Sequence, residues 1–347
     1  MVDDISINDV CSLDNKKLVN KKIKSKVAKF SIKNWGQSPL KIIKTKMLDA
    51  LESGRVVSFP ELGFSLSQDE KRMINSDLSL CGCKKIVYKP KIGELDGVPL
   101  IGDVDCLDNK LINDSGELCV KKSEAKFIAK KHLNAILKRF SDTTQDFLNS
   151  SFPKYAGKFE LGDASFIANK KLYNLDLNKS ELSKNTDQLL HIDAFATKPV
   201  NDKRILRIYT NIGKDGDDKQ WSIGDDFCSI IKRFAPQVPR PMLFSRTLMK
   251  LFRRTNKSRS LYDHYMLSIS KLMQKDKKYQ QEVITEKVVF PSGSSWMSFS
   301  DQVSYGVLSG HNVLEQVVYL PVCVMKNPDK SPLKMLQKFY GRSILDI

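Results

Sequence analysis

The sequence lacks several of the patterns that identify large classes of protein. No uninterrupted apolar run approaches the roughly 20 residues of a membrane-spanning helix, and the N-terminal MVDDISINDVCSLDNKK lacks the apolar centre of a secretory signal. There is no P-loop, no GxGxxG and no GxSxG, so neither nucleotide phosphate binding nor a nucleophile elbow has support. The cysteines form no CxxC pair of the kind that binds zinc. We therefore expect a cytoplasmic globular protein.

Positive charge is abundant, with a formal net charge of +17 and eleven lysines between Lys16 and Lys46. Such a field attracts nucleic acid, acidic lipid head groups or phosphorylated sugars and does not choose among them. The sequence has no helix-turn-helix, zinc-finger, RNP or KH signature, so we expect no nucleic-acid partner. Peripheral contact with an anionic membrane surface stays open, and solvated surface lysines are the alternative.

The distribution of basic and apolar residues along the chain predicts four regions. Residues 1–40 are expected to be a basic, weakly structured arm, and residues 41–152 a mainly helical region packed on the core. Residues 153–325 are expected to form the core itself, with a helical insertion at 225–280, and residues 326–347 a C-terminal tail. Apolar residues spaced three to five apart indicate the helices.

Short strand-like runs separated by polar turns follow Pro153, a pattern that suits a sandwich or jelly roll. The sequence therefore predicts an α+β protein in which helices flank a β core. The runs are 164-ASFIA-168, 188-QLLHIDAF-195, 204-RILRIYTNI-212, 286-EKVVF-290, 295-SWMSFS-300 and 313-VLEQVVYLPVCV-324.

One of only four histidines lies in the apolar run that contains HIDAF. Residues two apart on a strand point to the same face, so His191 and Asp193 can reach one point inside a sandwich. A neutral imidazole and a carboxylate are two corners of the facial triad that holds non-haem Fe(II). Arg207, on the following run, is a natural anchor for the distal carboxylate of 2-oxoglutarate. Arg204 is the alternative, although strand alternation places it on the opposite face.

Several blocks of sequence, in order, resemble the Kdo hydroxylase family, Fe(II)/2-oxoglutarate-dependent dioxygenases that act on 3-deoxy-D-manno-oct-2-ulosonic acid (Kdo) in lipopolysaccharide. The similarity runs from about residue 50 to 322. The blocks are LESGRVVSFPELGFSLSQDE, HIDAF, RILRIYTNI, LYDHYML, FPSGSSWMSFSDQVS, LSGHNVLEQ and YLPV.

This resemblance implies a double-stranded β-helix of the jelly-roll, cupin-like type, with Fe(II) as cofactor and 2-oxoglutarate and oxygen as cosubstrates. It also implies hydroxylation at carbon 3 of Kdo in the inner core of lipopolysaccharide or lipid A. The expected partner is then a Kdo-containing lipid A precursor, and the expected location is the cytoplasm, peripherally at the inner face of the inner membrane.

The position of the third metal ligand departs from the family pattern. The resemblance implies a metal-binding histidine directly after DQ-x-S, and this sequence has Tyr305 there. His311, six residues later, is the third ligand that we expect first; the alternative is Tyr305, as a phenolate or through a water. A phenol has a pKa of about 10, which a metal would have to lower. A further alternative is a catalytically impaired relative that binds Kdo-lipid A or another anionic saccharide without turnover.

Overall fold

A computed structural model describes residues 25–74, 85–88, 122–168, 186–239, 259–310 and 312–345. The helices are α1 (Lys41–Glu52), α2 (Gln68–Arg72), α3 (Lys122–Ser151), α4 (Phe227–Phe234), α5 (Leu261–Lys275), α6 (Lys277–Glu282) and α7 (Pro332–Tyr340). The strands are β1 (Val27–Lys29), β2 (Val56–Phe59), β3 (Lys85–Tyr88), β4 (Glu160–Ile167), β5 (Lys203–Asn211), β6 (Lys219–Ile223), β7 (Glu286–Phe290), β8 (Ser295–Phe299), β9 (Tyr305–Ser309) and β10 (Val313–Pro321).

Two sheets face each other in this part of the chain. The large sheet has the strand order β1-β2-β8-β5-β10-β4-β3, and the small sheet has the order β7-β6-β9. Neighbours in both sheets are antiparallel, apart from the parallel pair of β1 and β2. The α+β class and the jelly-roll arrangement agree with the prediction.

Alternation along β5 separates two cores. Leu206 and Ile208 point to the face of the large sheet that packs against the helices. Tyr209 points to the opposite face and packs between the sheets against Trp221 of β6 and Trp296 of β8. The space between the sheets is therefore lined by the odd-numbered residues of β5, including Arg207.

Helices cover the outer face of the large sheet for reasons visible in the sequence. Phe140 and Phe147 of α3 are fully buried, as the three-to-five spacing predicts. A capping box of Ser260 and Asp263 starts α5 inside the expected helical insertion. These helices back the sheet and leave its inner face to the small sheet.

The ends of the chain differ from the expected arm and tail. Within the part of the arm that the structure describes, Val27 and Ala28 are buried because β1 pairs with β2. The segment expected to be a tail contains α7, which buries Leu333 and Leu336 against the core. Residues 1–24 of the arm lie outside the described residues. Both corrections have the same cause, since short apolar segments next to lysines contribute to the core.

The predicted runs correspond to β4, β5, β7, β8 and β10, whereas β1, β3, β6 and β9 were not predicted. Among the described residues, the run 188–195 makes one isolated bridge, between His191 and Tyr305, and residues 192–195 belong to no strand. In the described ranges, no helix has the length and apolar character needed to cross a membrane.

Candidate metal and cosubstrate site

The His191–Asp193 segment is held at both ends by backbone hydrogen bonds. His191 exchanges both of its backbone bonds with Tyr305 at the start of β9, at 3.1 and 3.0 Å. The Asp193 amide donates to the Ser300 carbonyl, just after β8, at 2.8 Å. Ile192 between them is fully buried in the helix-side core. His191 and Asp193 consequently face the space between the sheets together, as alternation predicts.

Two helical residues fix this segment from behind. Gln280 of α6 accepts from the Leu190 amide at 2.8 Å and donates to the Leu190 carbonyl at 3.0 Å. The Ser270 hydroxyl of α5 donates to the Ile192 carbonyl at 2.6 Å. The segment therefore has little freedom to move away from the site, although it is not part of a regular strand.

Hydrogen bonding selects the tautomer of His191. Its Nδ1 lies 2.7 Å from the Leu189 carbonyl, which can only accept, so Nδ1 carries the proton. The lone pair of Nε2 then points away from the backbone, and Nε2 lies 3.8 Å from Asp193 Oδ1. A nitrogen donor and a carboxylate oxygen thus face one point, as two ligands of one metal ion do.

Arg207 lies beside this pair and is itself paired with two carboxylates. Its Nε is 2.6 Å from Asp193 Oδ2, without hydrogen-bond alignment, and its Nη1 donates to Glu315 of β10. Burial lowers the pKa of Arg207, but the charges of Asp193 and Glu315 outweigh that effect and raise it above its ordinary value. Arg207 therefore lies in the expected space and stays positively charged. Asp193 and Glu315 balance its charge.

Tyr305 occupies the third side of the site. Its hydroxyl donates to Asp193 Oδ1 at 3.3 Å, and its ring stacks on Trp221 with centroids 4.6 Å apart. Burial, followed by the charge of Asp193, raises the pKa of Tyr305 above its ordinary value. The phenol is therefore neutral at pH 7 in the metal-free protein.

Further polar atoms line the same inner faces without hydrogen-bond partners in the described part of the chain: Trp221 Nε1, Trp296 Nε1 and Ser298 Oγ. Ser298 of β8 stands directly opposite Arg207 of β5 in the sheet register. Buried polar groups are normally hydrogen-bonded, so a cluster of unpaired ones indicates a space that polar ligands occupy.

Lys219 adds a cation at the edge of this space. It is 5% exposed and lies on the inward face of β6, two residues from Trp221 and opposite the buried Phe290 of β7. Within the described ranges its ammonium makes one long contact, 3.4 Å, with the Gly310 carbonyl. Burial lowers the pKa of Lys219 to about 8 in spite of the charges of Asp187 and Glu315.

Arg204 has a different environment from Arg207. It is completely buried on the helix side of β5, where its fork holds Asp301 at 2.7 and 3.0 Å and Gln302 at 2.7 Å. Its guanidinium also covers the ring of Phe299 at 3.9 Å. Because its donors bind the DQ of the DQ-x-S motif, we do not retain Arg204 as a cosubstrate residue.

His191 and Asp193 fit an iron ion by donor chemistry, since a neutral imidazole nitrogen and a carboxylate are ligands that ferrous iron accepts. Within the described residues no group of three His, Cys, Asp or Glu side chains is placed to hold a metal. Tyr305 occupies the position expected for the third metal ligand, and its phenol oxygen is a weaker metal donor than an imidazole nitrogen. His311, the expected third ligand, lies outside the described residues.

Sequence reasoning missed Glu315, Lys219 and Trp221 as residues of this site. The strand β6, which carries two of them, is short and follows a polar turn, so no apolar run indicated it. Glu315 follows the apolar residues Val313 and Leu314 on β10, so the sequence alone did not show that its side chain faces the site. An acidic or basic residue at an inward position of a strand is the signal that could have found them.

The comparisons with known proteins agree with this geometry. A family model described as 3-deoxy-D-manno-oct-2-ulosonic acid (Kdo) hydroxylase matches residues 34–343. Structures of the Kdo hydroxylase KdoO, a non-haem Fe(II) α-ketoglutarate-dependent dioxygenase, are similar at 30% identity. The complex with α-ketoglutarate and Fe(III) has a TM-score of 0.73, covering 92% of this chain and 97% of that one. For the cobalt(II) complex the values are 0.74, 92% and 98%.

No curated protein sequence matches the chain. The family model nevertheless covers most of the sequence, and the similar structures share the fold over nearly their whole length. The chain belongs to the Kdo hydroxylase family.

Proposed function

We propose that this chain is an Fe(II)/2-oxoglutarate-dependent dioxygenase that hydroxylates Kdo. One observation carries the proposal: His191 Nε2 and Asp193 Oδ1 face each other across 3.8 Å inside the jelly roll of a Kdo hydroxylase family member. In the solved relatives, iron or cobalt and α-ketoglutarate or succinate bind to the same fold.

The residues of the chain hold, orient and shield the reacting groups. His191 and Asp193 would bind iron, which together with 2-oxoglutarate and oxygen supplies the oxidising chemistry when bound. Gln280 and Ser270 fix the backbone that carries both ligands. The stacked rings of Tyr305 and Trp221 close one side of the site against water, which protects a reactive centre from side reactions.

Anaerobic titration of the protein with Fe(II) and 2-oxoglutarate tests this proposal. We expect the weak charge-transfer band of a ternary complex, and incorporation of one oxygen atom into a Kdo-containing saccharide once air is admitted. His191→Gln should abolish both signals. His264→Gln, on α5 outside the site, should change neither and serves as the matched control. A parent protein that shows no band and no product contradicts the proposal.

Carbon 3 of Kdo in a lipid A precursor is the acceptor that we propose. The basic character of the chain supports this choice, because such a precursor carries carboxylates and phosphates. Free Kdo and Kdo-lipid A, offered in parallel, separate the two sources of the sugar by their turnover.

We also propose peripheral contact with an anionic membrane through the start of α1. Leu40 and Ile42 are 74% and 60% exposed, unusual values for such large apolar side chains, and Lys41 and Lys46 beside them are exposed cations. Apolar side chains next to lysines are the combination that binds an acidic lipid surface.

The alternative function is a relative that binds the saccharide without turnover. The observation that favours it is the combination of Tyr305 in the third place with Arg207 paired to Asp193, because both compete with a metal for the carboxylate. In that protein the saccharide binds with equal affinity whether or not iron and 2-oxoglutarate are present.

A further inference from the structure

A cavity of about 560 Å³ lies beside α7, on the helix side of the large sheet. Helix α7 buries Leu336 in the helix-side core, whereas His191 and Asp193 face the space between the sheets. The cavity is therefore separate from the candidate metal site, and its volume is typical of sites that bind small molecules. Its polar lining consists of Asp329, Lys334, Gln337, Lys338, Arg342 and Ser343.

Positive charge dominates this lining. In the part of the chain that the structure describes, it holds three cations and one carboxylate. Lys334 and Lys338 are four residues apart on α7 and so lie on one face of the helix, where like charges destabilise it. Lys334 is also in the first turn, where the helix dipole disfavours a cation. The arrangement is locally unfavourable, and a bound anion would offset that cost.

Two of the cations have no carboxylate partner. Lys326, just before α7, pairs with Asp49 at 2.7 Å. By contrast, among the described residues the ammonium of Lys334 makes neither a hydrogen bond nor an ion pair, and the guanidinium of Arg342 makes no ion pair. Both side chains are exposed. Their charges are consequently available to a ligand in the cavity.

The turn that follows α7 holds Arg342 in place. Gly341 ends the helix in the left-handed conformation, with a φ of 62°, and the Arg342 amide then donates to the Gln337 carbonyl at 3.2 Å. Arg342 Nη2 donates to the hydroxyl of Tyr265, a buried residue of α5, at 2.9 Å. A side chain that is already in position loses less freedom on binding, so Arg342 is suited to hold an anion.

The donors in the cavity indicate the kind of anion. A guanidinium presents a planar fork that pairs with two oxygens of one phosphate, and an ammonium adds a point charge. A phosphate monoester carries nearly two negative charges at pH 7, which matches Lys334 and Arg342. Gln337 and Ser343 supply neutral groups that hydrogen-bond to hydroxyls. The combination fits a phosphate attached to a polar, hydroxylated body.

We propose that the cavity beside α7 binds a small soluble phosphate monoester, of the chemical class of the sugar phosphates. Lys334 and Arg342 hold the phosphate, and Gln337 and Ser343 contact the rest of the ligand. The carboxylate of Asp329 repels the phosphate and accepts hydrogen bonds from the hydroxyls. This site does not depend on the proposed oxygenase function.

Isothermal titration calorimetry of the full chain with glucose 6-phosphate and with glucose tests the site. We expect glucose 6-phosphate to bind, inorganic phosphate to displace it, and glucose to give no signal. Lys334→Gln and Arg342→Gln should each weaken glucose 6-phosphate about 3- to 10-fold, the effect of losing one exposed charge-assisted contact. Lys214→Gln is the matched control, since Lys214 is exposed on a turn outside the cavity, and it should bind like the parent.

Asp329→Asn gives a readout of opposite sign. Removal of the carboxylate should strengthen binding of glucose 6-phosphate about 2- to 5-fold, because the phosphate no longer meets a like charge. Asp215→Asn makes the same change of charge at an exposed position outside the cavity and should leave the affinity unchanged. Equal strengthening by both variants would indicate an effect of net charge and overturn the site.

The variants differ in their structural risk. Arg342→Gln also removes the bond to Tyr265, so its thermal unfolding is measured beside its affinity. Lys334→Gln breaks no contact of the described chain, and its loss of affinity reports on the ligand alone. An affinity that Lys334→Gln leaves unchanged overturns the proposal even if Arg342→Gln binds weakly.

Sedimentation with vesicles of phosphatidic acid separates a lipid head group from a soluble ligand. We expect Lys334→Gln and Arg342→Gln to sediment like the parent, because the cavity takes the soluble phosphate ester. Vesicle binding that requires both residues, without binding of glucose 6-phosphate, overturns the proposal in favour of a lipid. A parent that binds neither glucose 6-phosphate nor inorganic phosphate, or that binds glucose equally well, overturns it outright.

Discussion

Two arginines three residues apart on β5 have different partners because they lie on opposite faces of the strand. Arg207 meets carboxylates in the space between the sheets, and Arg204 meets the buried Asp301 on the helix side. Burial raises the pKa of Asp301 although Arg204 opposes that effect. The ion pair fixes the turn that follows β8, whose Ser300 carbonyl receives the Asp193 amide. Arg204 thus acts on the site through the backbone.

Arg204→Met should destabilise the protein by about 3–5 kcal/mol, because it leaves a buried carboxylate without its partner. The free energy of unfolding from urea titration measures the effect. Lys203→Met is the control on the same strand, since Lys203 pairs with the exposed Glu160 and should contribute less than about 1 kcal/mol. Equal effects of the two changes would contradict the assignment of Arg204.

A pair of substitutions distinguishes Tyr305 from His311 as the third metal ligand, because the two possibilities predict different effects on the affinity for Fe(II). If Tyr305 occupies the metal position, Tyr305→His should raise the affinity for Fe(II), because imidazole is a better neutral donor than a buried phenol. His311→Ala should then have little effect. If His311 is the ligand, His311→Ala abolishes iron binding and Tyr305→His brings no gain. Metal titration followed by absorbance distinguishes the two.

At the scale of elements, the site depends on how a short 3-10 turn meets β9. The turn at Thr186–Gln188 ends three residues before His191, and a Cβ on Gly306 would lie 2.4 Å from the Gln188 carbonyl. This contact is between backbones, so neither side can yield by rotating a side chain. The absence of a side chain at position 306 lets the ligand segment lie against the small sheet.

Gly306→Ala should therefore displace the turn and destabilise the protein by about 1–3 kcal/mol, the usual cost of overpacking. Affinity for Fe(II) should fall as well, because His191 moves with the turn. Gly36→Ala is the control, since its added Cβ would come no closer than 3.5 Å to another atom. Thermal unfolding and metal titration measure the two effects, and unchanged iron affinity would mean that the turn does not position His191.

The elements that sequence alone could predict are those with a strong local pattern. Helix α3 and strand β5 are long enough for apolar spacing to identify them, and alternation gave the common face of His191 and Asp193. Strand β6 could not be found because its inward residues include Lys219, which breaks the apolar pattern. Arg207 was placed in the right space, but its pairing with Glu315 depends on the register between β5 and β10, which is a tertiary property.

At the scale of the whole molecule, the net charge of +17 contributes most to membrane attraction where exposed apolar residues lie beside lysines. At the start of α1, Leu40 and Ile42 protrude among lysines. Lys41 and Lys46, two of the eleven lysines between Lys16 and Lys46, therefore lie on a helix. Lysines in this place attract an acidic surface, and the apolar pair can enter it.

Replacing Lys29, Lys41 and Lys46 with glutamine should weaken binding to vesicles that contain anionic lipid, and added salt should reduce the difference from the parent. The control replaces Lys214, Lys278 and Lys287, which are exposed elsewhere, and removes the same charge. Co-sedimentation with vesicles measures binding. Equal losses in the two triple variants would indicate a general effect of charge and no membrane-facing patch.

The bonds at the two ends of the His191–Asp193 segment have a consequence for metal binding by the unfolded chain. His191 is bonded to β9 of the small sheet, whereas Asp193 is bonded to Ser300, whose own amide is bonded to β5 of the large sheet. The relative orientation of the two side chains therefore depends on how the two sheets dock. Separation of the sheets removes that orientation, so we expect iron to bind the folded protein and not the unfolded chain.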